Sequence, residues 1–397
     1  MGLKEFQTEI KLEIDDPPTV ITSDTTNSTE TSATISDADG GRKNEHPFSW
    51  ILTRVHAGYF RITLSLCSQA LLWKSLLDSS DMFLPQMLKP LSRAFILLWS
   101  VSLFTLLGLS LLYILRCFFH FKMVKAEFLH HVGVNYLFAP FISWLLLLQS
   151  SPFIAPKSVS YLLLWCIFVM PLLILDVKIY GQWFTKGKRY LSVAANPTSQ
   201  MSVIGNLVGA RSAAEMGWNE GAVCLFSLGI IHYLVLFVTL YQRLTGNNNG
   251  IPALLRPVFF LFIAAPSMAS LTWVSVSGSF GTPSKMLFYL SVFLFASLVC
   301  RPALFKKSMK RFSVAWWAYS YPLTVLAMAS MEYAKEVKGG IPDALMFTLL
   351  GLSVIVFLAL VIFTAFNSNK LLTNHDSITY NCISKNNIQT SCDDNLS

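Results

Sequence analysis

Apolar segments of two kinds alternate along this chain, and the alternation limits the folds open to it. Pro140, Pro197, Pro266 and Pro322 sit inside or just at the start of hydrophobic runs. Each is followed by small polar residues: Ser143; Thr198, Ser199 and Ser202; Ser267 and Ser270; Thr324. The first run has no such proline but carries Gly58, Thr63, Ser65 and Ser68. The runs between them, such as 94–115, 222–240 and 344–366, are plain Leu/Phe/Val stretches. Lipid gives freed backbone groups no partner, so kinked helices carrying Ser and Thr belong where protein or a water-filled path covers them. The pattern predicts an inner ring of path-lining helices inside an outer ring of supporting ones, the architecture of a channel or carrier.

Composition agrees. Of 397 residues, 53% are hydrophobic and 13% charged, against about 25% charged in soluble domains. Apolar segments predict membrane helices near 57–77, 93–115, 132–149, 158–177, 196–213, 220–241, 257–276, 284–300, 313–332 and 343–366, most of them near the ~17–25 residues needed to cross hydrocarbon. The fold expected is all-α integral membrane, with ten transmembrane helices in five pseudo-repeated hairpins around a central pore and the odd-numbered helices innermost. The prolines recur at intervals of 57, 69 and 56 residues, about one helical hairpin with its loops. Pro171, in the fourth segment, lacks the small polar followers and reads as a structural kink.

Loop charge sets the expected orientation. Lys and Arg gather in alternate loops, most densely at 301–311, which favours both termini in the cytoplasm. Residues 1–50 are polar, have no signal-peptide core and read as a disordered cytoplasmic tail; 51–367 form the membrane domain and 368–397 a second cytoplasmic tail. The net charge of +8 reflects the cytoplasmic face and does not call for nucleic acid. The seven cysteines show no metal or redox spacing, and those in spans read as packing residues.

No enzymatic motif stands out: there is no Walker-type loop, G-x-S-x-G or H-E-x-x-H. No cofactor is expected, and His56, His130 and His131 read as interfacial residues. Charges in or near spans mark function by default. Asp176 and Lys178, just before Tyr180-Gly181-Gln182-Trp183, read as interfacial. Arg211 and Glu215, four apart, read as a helix pair. Arg61, one turn past His56 on an inner helix, is placed to attract anions. The basic run Lys306, Lys307, Lys310 and Arg311 leads into Trp316-Trp317-Ala318-Tyr319-Ser320-Tyr321-Pro322. Such a collar would gather anions at a pore mouth, with Trp316 and Trp317 as interfacial belt residues and Tyr321 deeper, beside the proline.

These stretches resemble the plant slow (S-type) anion channel family, related to bacterial tellurite-resistance/dicarboxylate transporters. The resemblance is carried by 56–61 (HAGYFR), 134–140 (VNYLFAP), 179–183 (IYGQW), 195–197 (ANP), 232–244, 262–267 (FIAAPS) and 314–322, and covers essentially 54–367. It implies odd helices lining a central pore in each protomer of a trimer. The anions passed would be chloride, nitrate or malate, crossing the plasma membrane under control of a protein kinase acting on the tails. The family places a gating phenylalanine immediately before the ninth-helix proline; here that position is Tyr321. A further constriction is expected at Leu146, after Pro140, with Phe138, Pro140, Pro197, Pro266 and Pro322 lining the path. The short N-terminal tail departs from the long basic tails of kinase-regulated relatives. Two other roles stand beside a self-sufficient channel, the first raised by the short tail and the second by the transporter side of the resemblance. One is a silent subunit that modulates a conducting relative in a mixed trimer; the other is a proton-coupled dicarboxylate carrier using Glu215.

Overall fold

The computed structural model describes residues 47–79, 85–130, 132–185, 195–244, 253–306, 308–310 and 312–368. Both expected tails, apart from 47–50 and Ser368, lie outside the described residues, as do Lys307 and Arg311. Among the described residues there are helices and no strands. We number the long helices α1 (Phe60–Asp78), α2 (Pro85–Phe119), α3 (Phe138–Gln149), α4 (Val159–Thr185), α5 (Gln200–Glu215), α6 (Asn219–Leu244), α7 (Leu261–Ser277), α8 (Thr282–Val299), α9 (Ser320–Val337) and α10 (Gly340–Phe366).

Their packing forms a closed ring. Helix α1 packs on α3, α3 on α5, α5 on α7, α7 on α9, and α9 returns to α1. Each even-numbered helix packs against the odd-numbered helix before it, giving five hairpins around the ring. The outer helices show apolar side chains to the surroundings, among them Phe104, Ile167, Ile231, Phe293 and Ile355. In the membrane-length stretch ending with α7, 83% of residues are buried, against 17–33% in the five outer ones. Inner and outer helices thus alternate along the chain.

Six stretches are long and apolar enough to cross a membrane alone: Lys89–Phe119, Val159–Thr185, Asn219–Gln242, Arg256–Ser277, Thr282–Val299 and Gly340–Phe366. The bent pair Phe121–Leu129 and Gly133–Gln149 makes up to seven. The chain is a multi-pass membrane protein. Helices α1, α5 and α9 do not reach that threshold because they carry many polar residues, and they tolerate this because protein, not lipid, surrounds them.

Three inner helices start the same way. An extended residue leads into a 3-10 turn, and the turn runs on into the α-helix. The residues are His56 (φ −117, ψ 168), Asn196 (φ −146, ψ 165) and Ser313 (φ −147, ψ 163). The His56 ring accepts from the Gly58 N–H at 3.0 Å, and the Asn196 side chain accepts from the Thr198 N–H at 2.9 Å. These side chains satisfy N–H groups that have no partner within the helix. Pro197 opens its turn, while Pro140 and Pro322 fall in the first turns of α3 and α9. There a missing N–H costs nothing and the fixed φ favours helix. These three prolines lie at or near helix starts, whereas Pro266 within α7, Pro171 within α4 and Pro90 within α2 lie in helix interiors.

Close approach depends on glycine at two points. A Cβ on Gly205 of α5 would lie 3.3 Å from Leu172 on α4 and 3.5 Å from Phe138 on α3, and one on Gly229 of α6 would lie 3.1 Å from Leu207. One end of the ring is fastened by a buried ion pair. Arg116, in the last turn of α2, meets Glu127 at 2.7 Å, with 3% and 6% of the two side chains exposed. Tyr113 donates to the same carboxylate at 3.2 Å, and Arg116 also donates to the Val55 carbonyl just ahead of α1.

Two stability outcomes follow, both read as melting temperature of the purified chain in detergent. Arg116→Ala leaves Glu127 charged and buried, and should cost about 3–5 kcal/mol, whereas joint Arg116→Met/Glu127→Met should cost clearly less. Gly205→Leu should destabilise by at least about 1–3 kcal/mol through overpacking against α3 and α4. A Gly205→Leu protein that melts like the wild type would contradict the packing described.

Candidate functional site

Most of the small polar residues that mark the inner helices join one helix to the next. Thr63 of α1 meets Ser143 of α3 at 3.2 Å. Gln69 of α1 donates to Thr324 of α9 and to Ser353 of α10, both at 2.9 Å. Gln149 of α3 donates to Ser212 of α5 at 2.6 Å, and Thr272 of α7 donates to the Leu207 carbonyl of α5 at 3.0 Å. Of the two kinds of cover expected for these residues, protein or a water-filled path, these contacts show protein. Between helices inside a membrane, a polar group without a partner costs several kcal/mol, and pairing across the interface relieves that cost.

Subtracting these contacts leaves the faces that point to the ring axis. On α5, Ser202 meets Tyr180 at 2.8 Å and Asn206 donates to Asp176 at 2.7 Å, so this side faces α4. Gln200, Ile204, Arg211 and Glu215 fall on the opposite stripe, toward the axis. On α3, Ser143 faces α1, Gln149 faces α5, and Trp144 stacks on Phe168 of α4 at 5.3 Å. Leu146 lies between the α1 and α5 faces and points inward. On α9, Thr324 faces α1 and α10, and Tyr333 stacks on Phe288 of α8 at 4.9 Å. Tyr321, Val325 and Met328 occupy the remaining inward stripe.

At this level the interior is filled. Leu64, Leu146, Ile204, Tyr321 and Val325 are all buried in one continuous apolar core, with Tyr321 1% exposed. Its hydroxyl is buried and has no hydrogen-bond partner. Arg61 is also buried, with its guanidinium 4.2 Å over the Tyr136 ring and Nη2 unpartnered. The side-chain amide of Gln200, fully buried, is unpartnered at both atoms. Buried polar groups of native proteins nearly always find partners, so each exception asks for an explanation.

The other expected residues sit elsewhere. Phe138 wedges beside Gly205, between α3 and α5. Pro140 shares its stripe with Trp144, toward α4. Pro266 shares its stripe with Ser270, which donates to the Ser284 carbonyl of α8, and with Trp273, which packs 5.3 Å from Phe226 of α6. Pro197 and Pro322 belong to the helix starts described above. Lys306 and Lys310 are exposed in the connection between α8 and α9.

One further expectation is corrected. Trp317 is not a belt residue: it is 2% exposed, lies against Leu66 and Phe357, and donates to Thr364 at 3.1 Å. Its ring is covered by these apolar neighbours, and its N–H is satisfied within the protein. Trp316, half-buried, donates to the Ser308 carbonyl at 3.1 Å. Asp176, toward the end of α4, is enclosed by protein. It is 4% exposed and held by Asn206, a pairing across 30 positions that adjacency to Tyr180 and Trp183 does not reveal. Among the described residues no group of three His, Cys, Asp or Glu side chains could hold a metal ion.

Known proteins resemble this chain over the ring just described. Residues 54–365 match the SLAC1 family, described as voltage-dependent anion channel. The Arabidopsis thaliana S-type anion channel SLAH1 is 60% identical over 328 residues, covering 82% of this chain and 85% of that protein. S-type anion channel SLAH4 of the same plant is 59% identical over 322 residues, 81% of this chain and 86% of its own length. The guard cell S-type anion channel SLAC1 is 43% identical over 311 residues, 78% of this chain and 54% of its own. Members of this family are anion channels, not enzymes. With its helical ring matched nearly end to end, the chain belongs to the SLAC1 family of S-type anion channels.

Proposed function

We propose that this chain is a passive anion channel of the plasma membrane, conducting chloride and nitrate along the axis of the inner ring. Tyr321 supports this reading most directly. It is a large aromatic side chain on an inward stripe, 1% exposed, whose hydroxyl no protein group satisfies. An aromatic ring there closes the axis, and an unpaired donor there suits a path that carries water and anions when open. Leu146 on α3 adds a second apolar constriction. Arg61, at the start of α1, supplies positive charge inside the ring, and the exposed Lys306 and Lys310 add more at the α8–α9 connection. With both termini cytoplasmic, these three residues gather anions on the cytoplasmic side. Passage needs weak binding, since an anion held tightly would not leave.

The decisive measurement is two-electrode voltage clamp in oocytes, in chloride and then nitrate baths, with surface protein quantified. Tyr321→Ala should raise basal anion current severalfold, because removing even ~1 kcal/mol of closed-state preference shifts a near-balanced equilibrium about fivefold. Unchanged current at equal surface level would remove Tyr321 from the gate. Leu146→Ala should give a smaller rise, and the double variant the largest; a Leu146→Ala effect exceeding that of Tyr321→Ala would make α3 the main barrier. If wild type and all variants stay silent at the surface but alter the current of a co-expressed S-type channel, the chain acts as a modulatory subunit instead.

A further inference from the structure

The joint between α4 and α5 holds a carboxyl group that the conduction path does not use. Asp176 of α4 is 4% exposed, and Asn206 of α5, 1% exposed, donates from Nδ2 to its Oδ2 at 2.7 Å. The same amide nitrogen also donates to the Ser202 carbonyl, at 3.2 Å. Turning the amide over would set its oxygen against two acceptors, so these contacts fix its orientation. Both remaining oxygens, Asp176 Oδ1 and Asn206 Oδ1, are buried and receive no hydrogen bond. Two side chains in direct contact thus leave two acceptors in want of a donor.

Among the described residues, Asp176 enters no ion pair. Lys178, two residues on and therefore on another side of α4, bonds to the Phe128 carbonyl and covers the Phe128 ring at 3.1 Å. In the segment that carries Phe128, Glu127 is held by Arg116, while Lys122 and Lys125 are exposed. Helix α3 has no titratable side chain from Phe138 to Gln149. On α5, Arg211 and Glu215 lie on the opposite stripe and pair with each other. On α6, the His232 ring stacks on Tyr180 at 3.3 Å and bonds through Nδ1 to the Leu228 carbonyl, and Tyr233 packs at Phe237. Tyr180 itself, one turn beyond Asp176, meets Ser202 at 2.8 Å. An ionised Asp176 would be a buried charge inside a membrane-spanning pair of helices, with one hydrogen bond and no counter-charge. That arrangement is expensive.

We propose that Asp176 is a proton-binding site: in the folded chain at neutral pH it is a neutral carboxylic acid with the proton on Oδ1. Protonation removes the uncompensated charge and turns Oδ1 from an acceptor into a donor. Asn206 Oδ1, on the side chain already bonded to Oδ2, is the acceptor left open to it. The joint is then an uncharged acid–amide pair. It lies on the side of α5 that faces α4, away from the axis, and stands apart from the conduction reading. Its consequence is mechanical. Loss of the proton at alkaline pH places a charge between α4 and α5 and loosens the helix that carries Ile204 to the axis.

The full chain, purified in detergent with its aspartate side-chain carboxyls isotope-labelled, is studied by infrared spectroscopy at neutral pH. Exposed aspartates are ionised there, and Asp176 is the one buried aspartate among the described residues. Wild type should show a label-sensitive carbonyl band of a protonated acid, lost on alkaline titration and absent from Asp176→Asn. Melting temperature gives a second reading, since asparagine keeps the shape and neutrality of the protonated acid. A proton kept by the folded chain and released by the unfolded one makes stability fall as pH rises. Wild type should therefore lose several degrees against Asp176→Asn between mildly acid and alkaline pH. An ionised Asp176 predicts the reverse, no band and a deficit of Asp176→Asn that grows with pH; either result would overturn the site. Stabilisation of wild type by sodium over choline, abolished in Asp176→Asn, would put a metal cation on the two oxygens and overturn it as well. Should Asp176→Asn fail to fold, the labelled wild-type spectrum decides alone.

Discussion

A polar group inside a membrane must find its partner within the protein, and the rest of this structure answers to that requirement. Five inner helices carry Ser, Thr, Asn and Gln at positions where lipid would tolerate none of them. Closing them into a ring, α1 to α3 to α5 to α7 to α9 and back, gives those side chains protein on both flanks. Thr63 with Ser143, Gln69 with Thr324 and Ser353, and Gln149 with Ser212 are the joints. The outer helices present apolar side chains outward and meet the inner ring through further joints, such as Tyr180 with Ser202 and Asp176 with Asn206. Inner and outer composition differ because the two rings meet different solvents.

Once the ring is closed and its joints are paired, the polar groups left over acquire meaning. Arg61, Gln200 and Tyr321 are buried, as is Nη1 of the partly exposed Arg211; all carry donors without partners, and they come from the starts of three inner helices and the last turns of one. They surround an axis otherwise filled by Leu64, Leu146, Ile204 and Val325. An apolar interior flanked by unpaired donors, two of them on guanidinium groups, favours anions as neighbours. It is poorly suited to cations, for which the axis offers little beyond Glu215, already engaged by Arg211. The family to which the chain belongs agrees with that polarity.

Much of this was legible in the residues. The alternation of Ser/Thr-bearing and plain apolar runs foretold the alternation of inner and outer helices, since burial of polar residues leaves its mark in composition. Predicted span limits such as 132–149 and 343–366 lie within a few residues of the observed helices Gly133–Gln149 and Gly340–Phe366, because Gly, Pro and charged residues punctuate the chain there. The prolines misled in one respect: Pro140, Pro197 and Pro322 fall at helix starts while Pro266 lies inside α7, and a proline in the first turn leaves the same sequence trace as one in a helix interior.

What the sequence could not decide is which side of a helix faces the axis. Ser143 and Leu146 are three residues apart on α3; one bonds to α1 and the other points inward, and only the placement of neighbours separates them. The same holds for Asp176, whose partner Asn206 lies 30 residues away, and for Trp317, whose N–H is satisfied by Thr364, 47 residues on. Local pattern determined that helices form, how long they are and which belong in protein or in lipid, because those properties depend on a residue and its near neighbours. Which polar groups pair and which are left facing the axis depends on contacts between segments far apart in the chain, and that was settled only when the ring closed.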